Sequence, residues 1–206
     1  MNEQQTNLTE TKKNKVLNVP NMLSLLRCLM VPLFMAAIIF MKDIAIWGRI
    51  VPAAVFALTA ITDMLDGKIA RKYNLITNFG KFIDPLADKF MVFAALLTVC
   101  YAYDYIAPFF IWVAVVIMFR ELGVTSLRLV VSGNAGIVVA ASLLGKLKTV
   151  SQMVGLFLII LEPLVIPPLY ESGIYLISYI MAGIMTVTTL FSGYDYLRAY
   201  LPYLKE

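Results

Sequence analysis

TDMLDGKIARKYNLITNFGKFIDPLADKF, residues 62–90, joins two apolar blocks and brings four aspartates to their facing ends. Asp63 and Asp66 are spaced i, i+3, about 60° apart around a helix; Asp84 and Asp88 are spaced i, i+4, about 40° apart. Each pair therefore points from one helix face. The intervening loop is short, which predicts antiparallel neighbouring helices on which all four carboxylates converge. Pro85 biases Asp84 towards extended backbone and suits the first turn of the following helix.

Working outward, the flanking blocks and four others are each close to the roughly 20 residues that span a bilayer. They run over about 22–41, 46–65, 85–103, 106–131, 147–166 and 174–197. Turn or polar signals separate them, among them Lys42-Asp43, Tyr73–Asn78, Ser132-Gly133-Asn134 and Pro167-Pro168. Of the 206 residues, 61% are hydrophobic and 15% charged, whereas a soluble domain is about half apolar and about a quarter charged. The expected fold is all-α: a polytopic integral membrane protein of six transmembrane helices over residues 17–206. Residues 1–16, polar and basic at Lys12, Lys13 and Lys15, read as a cytoplasmic arm with no secretory or transit signal.

Lysine and arginine set the orientation. With the N-terminus inside and six crossings, 15 of the 17 cations fall on the cytoplasmic side, leaving only Lys42 and Arg49 outside. Both termini are then cytoplasmic, and a bacterial plasma membrane is the simplest setting. The net charge of +4 becomes an inner-face surface beside anionic lipid and not a nucleic-acid site. The absence of histidine excludes Ser-His-Asp triads and the usual zinc cages. Cys28 and Cys100 stand alone in apolar runs, as small buried residues without a disulfide framework. Trp47, Tyr101, Tyr103, Tyr194 and Tyr196 read as interfacial aromatics.

Chemistry must therefore rest on the carboxylates. Four of them at the edge of hydrocarbon repel one another and are costly to desolvate, and two divalent cations would neutralise them. Oxygen ligands alone point to hard ions, Mg²⁺ or Mn²⁺, and a pair of such ions is suited to displacement at phosphorus. Gly67 and Ala70 continue the face begun by Asp63 and Asp66, and Gly80 precedes Asp84 by one turn. Small residues there let a ligand approach the backbone. Arg71 adds a fixed cation suited to phosphate oxygens.

The order Asp63-x2-Asp66-Gly67-x2-Ala70-Arg71-x8-Gly80-x3-Asp84-x3-Asp88 resembles, at every position, the signature of the CDP-alcohol phosphotransferase family. The resemblance implies a six-helix membrane domain, a homodimer, and transfer of a phosphatidyl group from a CDP-lipid to an alcohol with release of CMP. Residue by residue, it implies that Asp63 and Asp84 bridge both metals and that Asp66 binds the first ion. Asp88 would bind the second ion and act as general base. Gly67, Ala70 and Gly80 would line the cytidine, with Arg71 near the diphosphate.

Three further patches resemble the branch of that family whose acceptor is sn-glycerol 3-phosphate, with CDP-diacylglycerol as donor. They are Asn18–Ser24 with Arg27, Phe119-Arg120-Glu121, and Gly145–Thr149 with Gln152. A charge argument agrees. Arg120 and Arg128 are eight apart on one helix face, and Lys146 and Lys148 begin the next helix on the same side of the membrane. Four cations around one cavity favour a phosphorylated acceptor, although inside-positive topology by itself also places cations there. Glu121 reads as a structural partner of a neighbouring cation. The rival readings are the same chemistry with inositol phosphate, serine or phosphatidylglycerol, and, from another class, a divalent-cation transporter.

Overall fold

In the computed structural model the backbone is described for residues 19–72, 78–135 and 142–204; within these, the side chains of 19–20, 63–72, 78, 81–82, 134–135, 202 and 204 are outside the description. The N-terminal arm 1–16 and the turn 73–77 also lie outside the described residues. Seven α-helices are present among those described: α1 (Val19–Met41), α2 (Trp47–Lys72), α3 (Asn78–Ala102), α4 (Ala107–Ala135), α5 (Leu143–Val165), α6 (Pro167–Glu171) and α7 (Leu176–Tyr200). A 3-10 turn over Leu201–Leu204 follows, and no strand occurs among the described residues.

The termini follow local chemistry. Ser142 precedes α5 in extended conformation and its hydroxyl accepts from the Gly145 N–H, supplying one bond that the first turn cannot make internally. Pro167 and Pro168 open the short α6, where a missing N–H costs nothing. Gly173, at φ 76°, turns the chain between α6 and α7 in a conformation that residues with a Cβ avoid. α7 has no side-chain cap of its own. Buried Glu162 of α5 serves instead, accepting from the N–H groups of Ile177 (2.8 Å) and Ser178 (3.3 Å) and from the Ser178 hydroxyl.

Six long helices close into a ring in the order α1, α2, α5, α7, α4, α3, with α3 and α5 also meeting across it. The interior is apolar and close-packed: Val31, Phe34, Ile38, Phe56, Ala95, Leu96, Ile117, Leu156 and Ile159 are all buried. Small residues bring backbones together. Ala87, Ala94 and Ala95 are buried on α3, which packs on α1. A Cβ on Gly155 of α5 would sit 2.7 Å from the Met185 sulfur of α7, so any larger residue there requires the Met185 side chain to shift. The outer faces are apolar too, with Phe40 81%, Trp112 71% and Phe119 79% exposed. Water does not tolerate that much contiguous apolar surface; lipid does.

Among the described residues four helices are long and apolar enough to cross a bilayer, over Asn21–Met41, Ala107–Gly133, Leu143–Val165 and Leu176–Tyr200. α2 holds a shorter apolar stretch, Trp47–Thr62, because it runs on into the aspartate segment.

Among the described residues α2 and α3 each pack chiefly on α1; the expected meeting of their aspartate-bearing parts falls on side chains 63–72, outside the described residues. Three expectations are corrected. Asp84 is helical, not extended, because α3 starts at Asn78 and continues through Pro85. The missing backbone bond at that proline is offset by α3 burying its small-residue face. Finally, Tyr103 and Tyr196 are buried inward-facing rings, while Trp47, Tyr101 and Tyr194 are exposed as expected. Each buried ring lies beneath a guanidinium, Arg49 at 4.0 Å from Tyr103 and Arg128 at 4.7 Å from Tyr196, and the cation draws the aromatic face inward. Cys28 and Cys100 are unpaired and half-buried, less enclosed than expected.

Candidate active site

α2 is unbroken from Trp47 to Lys72, so Asp63, Asp66, Gly67, Ala70 and Arg71 stand on helical backbone at the predicted spacing; their side chains lie outside the described residues. α3 carries buried Gly80, exposed Asp84 and half-buried Asp88. Asp84 is held from α1: the Ser24 hydroxyl donates to its Oδ1 at 2.5 Å. Ser24 belongs to a polar row, Asn21, Ser24 and Arg27, spaced every third residue and buried on an otherwise apolar helix. That row is what the polar start of the first apolar block becomes. Its contact with Asp84, sixty positions away in sequence, could not be read beforehand.

Among the described residues neither Asp84 nor Asp88 takes part in an ion pair. Carboxylates outside any close ion pair among the described residues, one of them oriented by a hydroxyl, fit a hard divalent ion by the chemistry of their donors. The described residues alone do not assemble three metal-ligating side chains, since the α2 pair is not among them.

Beside Asp88 opens a polar cavity of about 360 Å³ whose wall includes Arg120, Arg128, Lys146 and Lys148, with Lys89, Glu121 and Tyr196. All four predicted acceptor cations thus reach one cavity, together with the proposed base. Most are already engaged. Lys148, 5% exposed, is paired with Glu121. Arg120 pairs with the same carboxylate at 3.3 Å and donates to Ser192 of α7. Arg128 donates to the Tyr196 hydroxyl, and Lys146 is exposed. Glu121 is therefore a buried partner of cations, as its position suggested. Five cations against two carboxylates, Asp88 and Glu121, leave the cavity strongly positive.

A second space, an apolar groove of about 710 Å³, runs between α4 and α7 and shares Arg120 and Val124 with the polar cavity. Val115, Phe119, Gly123, Leu190 and Leu197 line it, and all but Gly123 are large apolar side chains exposed on the outer surface.

Two consecutive helices, each bearing two signature aspartates, within an apolar helix ring define a class, and comparison with known sequences agrees. The chain belongs to the CDP-alcohol phosphatidyltransferase family, whose profile matches residues 17–192. It is 38% identical over 191 residues to the CDP-diacylglycerol–glycerol-3-phosphate 3-phosphatidyltransferase of Bacillus subtilis (strain 168), covering 87% of this chain and 93% of the relative. It is 39% identical over 182 residues to a probable phosphatidylglycerophosphate synthase of Mycobacterium tuberculosis (strain ATCC 25618 / H37Rv), covering 88% and 81%. The Yersinia pestis (strain Pestoides F) protein with the same name as the Bacillus one is 34% identical over 185 residues, covering 89% and 94%.

Proposed function

We propose that this protein transfers the phosphatidyl group of CDP-diacylglycerol to sn-glycerol 3-phosphate, giving phosphatidylglycerophosphate and CMP. The observation that carries the reading is the single cavity shared by Asp88 and the cations Arg120, Arg128, Lys146 and Lys148. It sets a carboxylate beside a strongly positive pocket, the arrangement a phosphorylated alcohol needs if one end is gripped and the other deprotonated. The names of the relatives support the same reaction.

In this mechanism Asp63, Asp66, Asp84 and Asp88 would hold two Mg²⁺ or Mn²⁺ ions. When bound, such ions neutralise the diphosphate and the charge that develops on departing CMP. Ser24 fixes the Asp84 carboxylate. Gly67, Ala70 and Gly80 leave space for the cytidine, and Arg71 lies near the diphosphate. Asp88 takes the proton of the acceptor hydroxyl, which attacks the phosphorus bearing the lipid, while Arg120, Arg128, Lys146 and Lys148 hold the acceptor phosphate.

α2 and α3 complete six crossings in this reading. At 26 and 25 residues and a rise of about 1.5 Å each, they are long enough for a core about 30 Å thick, and both pack on α1. The protein is then a multi-pass protein of the bacterial plasma membrane, with both termini and the site on the cytoplasmic side, and works as a homodimer. A divalent-cation transporter would place its carboxylates near mid-membrane; Asp63 and Asp66 instead follow the apolar stretch Trp47–Thr62 of α2, and Asp84 and Asp88 precede the apolar stretch of α3.

The direct test incubates purified protein with CDP-diacylglycerol and an acceptor panel of glycerol 3-phosphate, inositol phosphate, serine and phosphatidylglycerol, and identifies the lipid product. CMP release only with another acceptor would overturn the acceptor assignment. Metal flux into liposomes without CMP release would overturn the enzyme.

Lys148→Gln removes a charge-assisted contact worth roughly 1.5–3 kcal/mol, so kcat/KM for glycerol 3-phosphate should fall about 10- to 150-fold. Affinity for CDP-diacylglycerol should change far less. Arg120→Gln is expected to behave alike. Equal losses with glycerol, which lacks the phosphate, would show that these cations hold the fold and not the acceptor.

The groove between α4 and α7 offers an apolar path from the bilayer to Arg120, and we assign it to an acyl chain of the transferred group. A Cβ at Gly123 meets nothing within 4 Å, so Gly123→Leu fills the groove without disturbing its walls. The expected result is a rise of about tenfold or more in KM for long-chain CDP-diacylglycerol and little change for a short-chain analogue, since each methylene removed from an apolar seat loses about 0.8 kcal/mol. Equal kinetics at both chain lengths would refute the assignment.

A further inference from the structure

Tyr196 touches more of the polar cavity than any role so far given to it explains. It stands on α7, 2% exposed, and reaches two other helices. Its ring lies 5.5 Å from the guanidinium carbon of Arg120 and 4.7 Å from that of Arg128. Its hydroxyl oxygen accepts from Arg128 and, at 3.0 Å, from the backbone N–H of Ser142. Ser142 caps α5, the helix that begins with Lys146 and Lys148. Gly145 lies tightly against the same hydroxyl: a Cβ there would come within 3.3 Å of the oxygen and 3.4 Å of the ring.

These contacts solve a physical problem. Arg120 and Arg128 are like charges two turns apart on α4, both turned into a partly dehydrated space. Left to themselves they would repel and separate. One aromatic face attracts both, and one phenolic oxygen ties Arg128 to the start of α5. Glu121 and Ser192 also hold Arg120, and Glu121 ties α4 to Lys148; Tyr196 adds the contact that reaches both arginines and the start of α5.

We propose that Tyr196 is the positioning residue that sets acceptor specificity, by holding Arg120 and Arg128 at the separation at which a phosphate monoester bridges them. The proposal rests on the reading of the cavity as the acceptor site. Tyr196 touches no reacting atom; it acts through the arginines.

The test is Tyr196→Phe, which keeps the ring and its packing and removes only the oxygen. The expected result is a rise of about tenfold in KM for glycerol 3-phosphate, the usual scale for a lost hydrogen bond to a charged group. KM for CDP-diacylglycerol and the thermal midpoint in detergent should move little, and the preference for glycerol 3-phosphate over glycerol should drop about tenfold. Gly145→Ala, which displaces the hydroxyl without deleting it, should shift the same preference in the same direction by less. An unchanged preference in Tyr196→Phe, or an equal loss with both acceptors alongside a lowered midpoint, would make Tyr196 a packing residue and overturn the proposal. If the wild type uses a different alcohol, the functional reading fails separately, and the same ratio, measured with that alcohol and its phosphate ester, still decides the role of Tyr196.

Discussion

Asp84→Asn should lose at least about 10³-fold in turnover, which corresponds to some 4 kcal/mol, the scale on which a divalent ion stabilises developing charge. Asn keeps the shape of the side chain and removes its charge. Asp84 also accepts a hydrogen bond from Ser24 of α1, which orients its carboxylate. Asp63→Asn is expected to match it, because both are assigned to both ions. Activity is one readout and metal binding the other: titration with Mn²⁺, followed by its paramagnetic resonance, should show weaker binding or fewer ions in either variant. Near-normal turnover of Asp63→Asn or Asp84→Asn at ordinary Mg²⁺ would end the two-metal reading.

Asp88 should behave differently. It is half-buried and, among the described residues, is the signature aspartate that lines the cation cavity, as a base beside the acceptor must. Asp88→Asn is expected to lower kcat by about 10²-fold or more, the usual contribution of a general base. CDP-lipid binding should survive better, since three carboxylates remain. Equal losses in CDP-lipid affinity and in kcat would reduce Asp88 to a plain metal ligand.

The parts of this architecture that were legible in sequence are those governed by helical period and by hydrophobic length. The aspartate spacing needed only a helix, and α2 and α3 supply one through Asp63, Asp66, Asp84 and Asp88. The apolar blocks matched six helices, because chain in lipid must satisfy its backbone internally. Helix ends were less legible. Pro85 read as a start, yet α3 runs seven residues further back, since packing on α1 outweighs one absent backbone bond. The meeting of the α2 and α3 aspartates that the short connection suggested falls on side chains 63–72, outside the described residues.

The cations show where sequence could not decide. Arg120, Arg128, Lys146 and Lys148 suited both a phosphate pocket and ordinary inside-positive topology. Only the fold gathers them onto one cavity. Tyr196 was the harder case. A tyrosine close to a helix end reads the same whether it faces lipid headgroups or an arginine pair, and Tyr194, two positions away, does face outward. Ser24 carried no signal at all towards Asp84, because nothing local in a helix marks a partner sixty residues on.

The seam between the two halves of the ring has a consequence for how the protein is made. α1, α2 and α3 are consecutive, and they pack together around α1. Every aspartate of the signature is therefore in place before the ribosome has reached Arg120. α4, α5 and α7 then bring the cations, and Tyr196, which registers them, comes almost last. Between the synthesis of Asp88 and that of Lys148 the nascent chain holds the four carboxylates without the completed cation wall. Residues 62–90 carry Lys68, Arg71, Lys72, Lys81 and Lys89 beside the four aspartates, so the later helices do not supply overall neutralisation; they place a second set of cations around the cavity that Asp88 lines.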